Sequence, residues 1–151
     1  MKASFQCYSF DEISKAALYA MLQLREQVFI VEQNCPYLDL DGLDDQCLHV
    51  LGRWEDEVVA TTRILPPGLK YPEVSVGRVV TSQSVRGTGI GRALMTATLD
   101  AVAARFGPCA IRLSAQSYLV GFYASFGFIE ASDEYLEDNI PHIEMVRPAP
   151  A

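Results

Sequence analysis

Lysine is scarce in this chain. Lys2, Lys15 and Lys70 are the only three among 12 basic residues, and the rest are arginines. Bases are outnumbered by 19 acids, leaving a net charge of −7, which excludes a general nucleic-acid binder or a polybasic membrane adaptor. No apolar run approaches the roughly 18–20 residues that a membrane span needs, and the opening residues Met1 to Gln6 lack the apolar stretch of a signal peptide. Cys7, Cys35, Cys47 and Cys109 contain no Cys-x-x-Cys pair, so neither a zinc site nor a dithiol redox pair is expected. Four reduced thiols suit a cytoplasmic protein. What is present is apolar: half of the 151 residues are hydrophobic, enough for a real core, and the length suits one domain over residues 1–151.

Arginine holds anions through a rigid fork of donors. Arg78, Arg86, Arg92, Arg105 and Arg112 fall within one short stretch, where any anion site is expected; scattered surface arginines are the plainer reading. Upstream, a helix is expected over about Lys15 to Phe29, capped by Ser14, with Ser9 and Glu12 at capping-box spacing as a rival start. Leu18, Met21, Leu22, Arg25 and Val28 recur at three- and four-residue intervals. Arg25 interrupts that stripe and requires a partner or a bound anion.

Strand-like runs at Cys47–Arg53 and Val58–Leu65 predict a hairpin, and Val74–Thr81 predicts another strand. A helix from about Ile90 to Arg105 ends at Gly107-Pro108, and Ala110–Ala115 resumes as a strand. A shorter helix fits Tyr118–Phe126, closed by Gly127, with closing strands at Phe128–Ala131 and Ile143–Arg147. Alternating helices and strands predict an α/β sandwich.

Between the third strand and the second long helix lies Arg86-Gly87-Thr88-Gly89-Ile90-Gly91. Glycines let the backbone turn sharply, and their N–H groups join those of the opening helix in a nest for phosphate. No lysine follows as in a Walker loop, the spacing is not Gly-x-Gly-x-x-Gly, and no ribose-binding acid lies about 20 residues on. On glycines alone, a plain strand-to-helix turn stays open.

This loop resembles the Arg/Gln-x-x-Gly-x-Gly/Ala loop of GNAT-superfamily N-acetyltransferases, and Phe122-Tyr123-Ala124-Ser125-Phe126-Gly127-Phe128 is similar to their Phe-Tyr-x-x-x-Gly-Phe signature. From Phe5 to Arg147, segments such as Leu22-Gln23-Leu24-Arg25, Val28–Tyr37, Asp39–Gly42 and Ile140–Met145 resemble the ElaA-like branch, whose acceptors are generally unassigned. The resemblance implies a GNAT-type α+β fold: a mixed, mostly antiparallel, twisted and splayed sheet flanked by helices. It implies acetyl-CoA as co-substrate, held by Val79, Val80 and Thr81 through main-chain amides and by Arg86, Gly87, Thr88, Gly89, Ile90 and Gly91 at the pyrophosphate. No metal is implied. A main-chain N–H near Val80 would meet the developing oxyanion.

Tyr123, with an ordinary pKa of about 10, keeps its proton at neutral pH and can protonate the leaving thiolate; a satisfied core aromatic is the plainer alternative. An alkylamine of pKa about 10.4 is mostly protonated at pH 7 and needs a proton acceptor. Glu32, Glu144 and His142 are the candidates, with Glu32 named as the catalytic residue and Arg25 and His142 as substrate contacts. Glu32 paired with Arg25 and a structural His142 stay open, and His49 reads as structural. Asp39, Asp41, Asp44 and Asp45 fail EF-hand spacing; they read as a solvated loop or as a rim attracting a cationic amine.

The expected activity is direct transfer of an acetyl group to a primary amine on a small molecule or peptide. A non-catalytic acyl-CoA-binding module and transfer of a longer acyl chain are the alternatives. An unpaired strand edge leaves a homodimer open.

Overall fold

The computed structural model describes residues 3–151. Eight strands form one sheet: β1 (Ser4–Ser9), β2 (Leu48–Trp54), β3 (Glu57–Leu65), β4 (Val74–Thr81), β5 (Ile111–Gln116), β6 (Ile129–Glu130), β7 (Tyr135–Glu137) and β8 (Ile140–Arg147). Their order is β1-β2-β3-β4-β5-β8-β6, and β7 also pairs with β8. Every pairing is antiparallel except β4 with β5. This is the mixed, mostly antiparallel sheet that the resemblance implies. The expected hairpin, the strand at Val74–Thr81 and the strand after Pro108 are present. β1 and β7 have no counterpart in the sequence reading.

Two helices cover opposite faces. α1 (Lys15–Arg25) starts at Ser14, whose side chain accepts the Ala17 N–H. Ser9 and Glu12 do exchange capping-box bonds, at 2.8 and 3.3 Å, but around the turn that precedes the helix. α2 (Ile90–Phe106) stops where Gly107 turns to positive φ and its N–H returns to the Ala103 carbonyl. Successive strand residues point to opposite faces. Leu51 accordingly packs with Met21 of α1, and its neighbour Val50 shares the larger core with Leu94, Met95 and Val102 of α2. Each such buried side chain contributes about 1.5–3 kcal/mol. On that face the Thr62 and Thr98 hydroxyls bond each other at 2.8 Å.

The first helix does not run on to Phe29 in α form. From Glu26 to Glu32 the chain widens into π-helical turns and ends at Asn34, which takes positive φ. Val28, Ile30 and Val31 are β-branched and crowd a tight helical turn. π turns bulge and often sit at functional sites. The expected Tyr118–Phe126 helix is a 3-10 turn (Ser117–Leu119) followed by α3 (Val120–Ala124), and Gly127 takes the left-handed conformation expected of it.

Candidate active site

β4 and β5 pair only at Val74 with Ile111 and Ser75 with Arg112. Parallel strands that stop pairing after two residues must diverge, and the gap is a cleft of about 510 Å³. Val79, Val80 and Thr81 line it from β4, Leu119, Phe122 and Tyr123 from the α3 region, and Phe29, Glu32 and Gln33 from the π turns. β4 also carries a bulge: Thr61 faces Val80 and Arg63 faces Gly77, so Arg78 and Val79 stand opposite Thr62 alone. Arg78 absorbs the extra residue at φ 49°.

β4 leads through the 3-10 turn Gln83–Val85 into the glycine loop. Gly87 and Gly89 have φ of 82° and 84°, and a Cβ at either would meet no protein atom within 4 Å. Gly89 occupies the N-cap of α2 without any side-chain cap. Among the described residues, the N–H groups from Gly87 to Gly91 find no protein acceptor. The Thr88 hydroxyl bonds the Val85 carbonyl and pins the loop. Unused donors at a helix N-terminus, with no protein atom over Gly87 or Gly89, fit a phosphate. The unpaired edge of β4 fits an arm that carries amides. The residues present thus suit a coenzyme A ester.

The five clustered arginines do not converge there. Arg78 binds Asp39 and Asp41, and Arg112 binds Glu73 and Glu144. Arg105 lies over the Phe106 ring. Only Arg86 and Arg92 adjoin the loop. Arg86 donates to the Thr81 carbonyl at 2.9 Å and pairs with Glu32 at 2.6 Å. Arg92, in the first turn of α2, lies over the Phe126 ring and bonds Ser125.

Tyr123 is buried, its ring edge-on to Phe122 and Phe128. Burial first, and the nearby Tyr118 second, push its phenol well above the usual value. It therefore holds its proton throughout the working range.

Arg25 sits elsewhere. Its side chain is 0 % exposed and does not line the cleft; Nε lies 2.8 Å from Asp39 and Nη1 2.8 Å from Asp44. Its partner is thus the acidic segment, not Glu32. The same segment binds Arg63, through Asp41 at 2.8 Å and Asp44 at 3.2 Å, and Arg78, through Asp39 at 2.7 Å. Asp39, Asp41 and Asp44 are therefore counter-charges for three arginines rather than a solvated rim. Burial works against ionisation of Asp41 and Asp44, but hydrogen bonds and charge from these arginines outweigh it and hold both carboxyls below their ordinary range. The His49 imidazole is fully buried beside them, its Nε2 2.8 Å from the Asp44 carbonyl. Burial is the main cause that lowers its pKa. Among the described residues, no group of three or more His, Cys, Asp or Glu is arranged to hold a metal ion.

Lys70, Tyr71, Ser114, Gln116, Glu137 and His142 also line the cleft. His142 Nδ1 lies 2.7 Å from the Ile140 carbonyl, and Nε2 lies 3.5 Å from Glu137. Glu144 lines no part of the cleft and is engaged by Arg112 at 2.9 Å. Sequence reasoning missed Tyr71, Ser114 and Gln116. The alternation of β5, with Ser114 between buried Leu113 and Ala115 and Gln116 two positions on, is the signal that marks two of them.

Residues 7–148 match the family described as acetyltransferase (GNAT) domain. Protein ElaA of Escherichia coli is 46% identical over 139 residues, covering 91% of each chain, and its crystal structure superposes with a TM-score of 0.91 over 97% of this chain and 99% of that one. The UPF0039 protein sll0451 of Synechocystis sp. is 42% identical over 147 residues, 97% of this chain and 96% of its own. The crystal structure of an acyl-CoA N-acyltransferase from Pseudomonas aeruginosa, 38% identical, gives a TM-score of 0.92 over 97% of this chain and 99% of that one. The chain whose sheet opens between β4 and β5 onto a glycine loop belongs to the GNAT acetyltransferase family, among relatives named ElaA.

Proposed function

We propose that the protein is an acetyl-CoA-dependent N-acetyltransferase that passes the acetyl group directly to a primary amine on a small molecule or peptide. The observation that carries this reading is that the unpaired β4 edge shares one cleft with Tyr123 and with Arg86 and Gly91, the two ends of the glycine loop. Val79, Val80 and Thr81 offer main-chain groups to the amide-bearing arm, and a main-chain N–H near Val80 stabilises the carbonyl oxygen as it gains charge. Gly87, Thr88, Gly89, Ile90 and Gly91 hold the pyrophosphate, with Arg86 beside them. The bound co-substrate supplies an acyl thioester, and the protein positions it and moves the protons.

Tyr123 hydrogen-bonds the leaving sulfur and gives it a proton. The apolar wall that raises the phenol also strips water from the thiolate, so both proton affinities rise together. His142 stands at the acceptor end. Glu32 is tied to Arg86, and we assign Arg25 to holding the Asp39–Asp44 segment, since its guanidinium is already occupied by two carboxylates.

Calorimetric titration with acetyl-CoA, using NADH and ATP as controls, tests the co-substrate. Selective micromolar binding, about −8 kcal/mol, is expected. A panel of CoA esters read by thiol release separates acetyl from longer chains. Tyr123→Phe should lower kcat by about 10²-fold or more with acetyl-CoA affinity nearly unchanged. Binding of acetyl-CoA without turnover on any amine would point instead to a non-catalytic acyl-CoA module.

A further inference from the structure

A proton acceptor for the amine must face the cleft and stand apart from a guanidinium, because a paired cation disfavours taking up a proton. Glu32 lines the cleft, but its carboxylate lies 2.6 Å from Arg86; Glu144 is held by Arg112 at 2.9 Å outside it. His142 differs from both. A carbonyl only accepts, so the 2.7 Å contact with Ile140 places the proton of the neutral ring on Nδ1. The lone pair is then on Nε2. That atom lies 3.5 Å from Glu137, and both residues line the cleft.

The ring is held by its Nδ1 bond to Ile140 and by one stacked neighbour. Tyr135 of β7 stacks on it at 6.2 Å with the planes 26° apart. The Tyr135 hydroxyl is bonded in turn to Ser114 of β5. Gln116 of β5 is the cross-strand neighbour of His142 on β8. A loose surface histidine has no such support. The arrangement is that of a base oriented by one hydrogen bond and flanked by a carboxylate that stabilises its charged form.

We propose that His142 is the general base of the acyl transfer, with Glu137 stabilising the imidazolium; this rests on the acyltransferase reading above. The acceptor R–NH3⁺ gives one proton to His142 Nε2. The freed nitrogen lone pair forms the C–N bond to the thioester carbonyl carbon, and the C–S bond breaks. Tyr123 protonates the departing sulfur, and the second nitrogen proton restores the phenol. His142 then releases its proton to water, so the products are the amide, the thiol and one H⁺.

Two measurements on the full chain test this. In ¹⁵N-labelled protein without ligand, long-range ¹H–¹⁵N spectra, assigned by comparison with His142→Gln, should show neutral His142 protonated on Nδ1. A proton on Nε2 would overturn the proposal. In the second, thiol release from acetyl-CoA is followed with spermidine, L-lysine and a lysine-containing peptide as acceptors. His142→Ala should lose about 10²-fold or more in kcat with acetyl-CoA affinity within about threefold, and added imidazole should restore about tenfold. His142→Gln carries the kcat comparison if the alanine variant does not fold. Turnover retained in both variants sinks the base role alone. Wild-type protein that binds acetyl-CoA but acetylates none of the three amines would bring down the acyl-transfer reading together with it.

Discussion

Glu32 and Arg86 meet at 2.6 Å, and the same guanidinium donates to the Thr81 carbonyl at 2.9 Å. One arginine therefore joins the π turns after α1, the end of β4 and the entrance to the glycine loop. Under the proposed function, an incoming pyrophosphate competes with Glu32 for it. Both side chains are partly exposed, so the pair is worth about 0–1 kcal/mol.

Glu32→Gln should therefore tighten acetyl-CoA binding, by up to about fivefold at low salt, because Arg86 becomes free for phosphate. Its kcat should stay within about threefold of wild type if His142 takes the proton. Calorimetry and thiol release read the two quantities separately. A loss of about 10²-fold in kcat would transfer the base role to Glu32.

Gly89→Ala tests the loop. At φ 84° an L residue costs about 1–2 kcal/mol, and the new methyl meets no protein atom within 4 Å. It stands instead in the space proposed for phosphate. Acetyl-CoA affinity should fall more than the urea midpoint does. Unchanged binding would reduce the loop to a structural turn.

Arg25→Met should cost about 3–5 kcal/mol in urea unfolding, the usual result of removing one member of a buried ion pair. Acetyl-CoA affinity of the folded fraction should change little. A variant as stable as wild type but with a raised acceptor KM would return Arg25 to the substrate site.

Acid should unfold the protein in two stages. His49 has a lowered folded pKa, so the unfolded chain takes its proton first, and stability declines as pH falls below about 6.5. Asp41 and Asp44 are also lowered, so their contribution is complete above about pH 4 and is lost below it. Urea midpoints from pH 8 to pH 3 should show both declines, and His49→Gln should remove the upper one. A flat profile down to pH 4 in wild type would contradict the buried, neutral imidazole.

Local chemistry was readable in advance where one residue dictates the backbone. Ser14 caps, Gly107 and Gly127 terminate, and β4 ends where expected because each signal acts within a few positions. Arg25 was legible as a charge in need of a partner. Asp39 and Asp44 lie 14 and 19 positions away and were not legible as that partner. β7 is three residues long and exists through its pairing with β8, so no periodicity announces it. With β7 went Tyr135, and with Tyr135 the stacking that fixes His142.

The opening between β4 and β5 leaves a strand edge in the middle of the sheet. Exposed edges invite pairing by other chains, and proteins commonly guard them with lysine, proline or bulges. Here the guard is concavity. The edge from Val76 to Thr81 lies inside a cleft of about 510 Å³. Under the proposed function, the amide-bearing arm of the co-substrate enters and completes the ladder. Backbone that would be a hazard along an outer edge is here reached only from within the cleft.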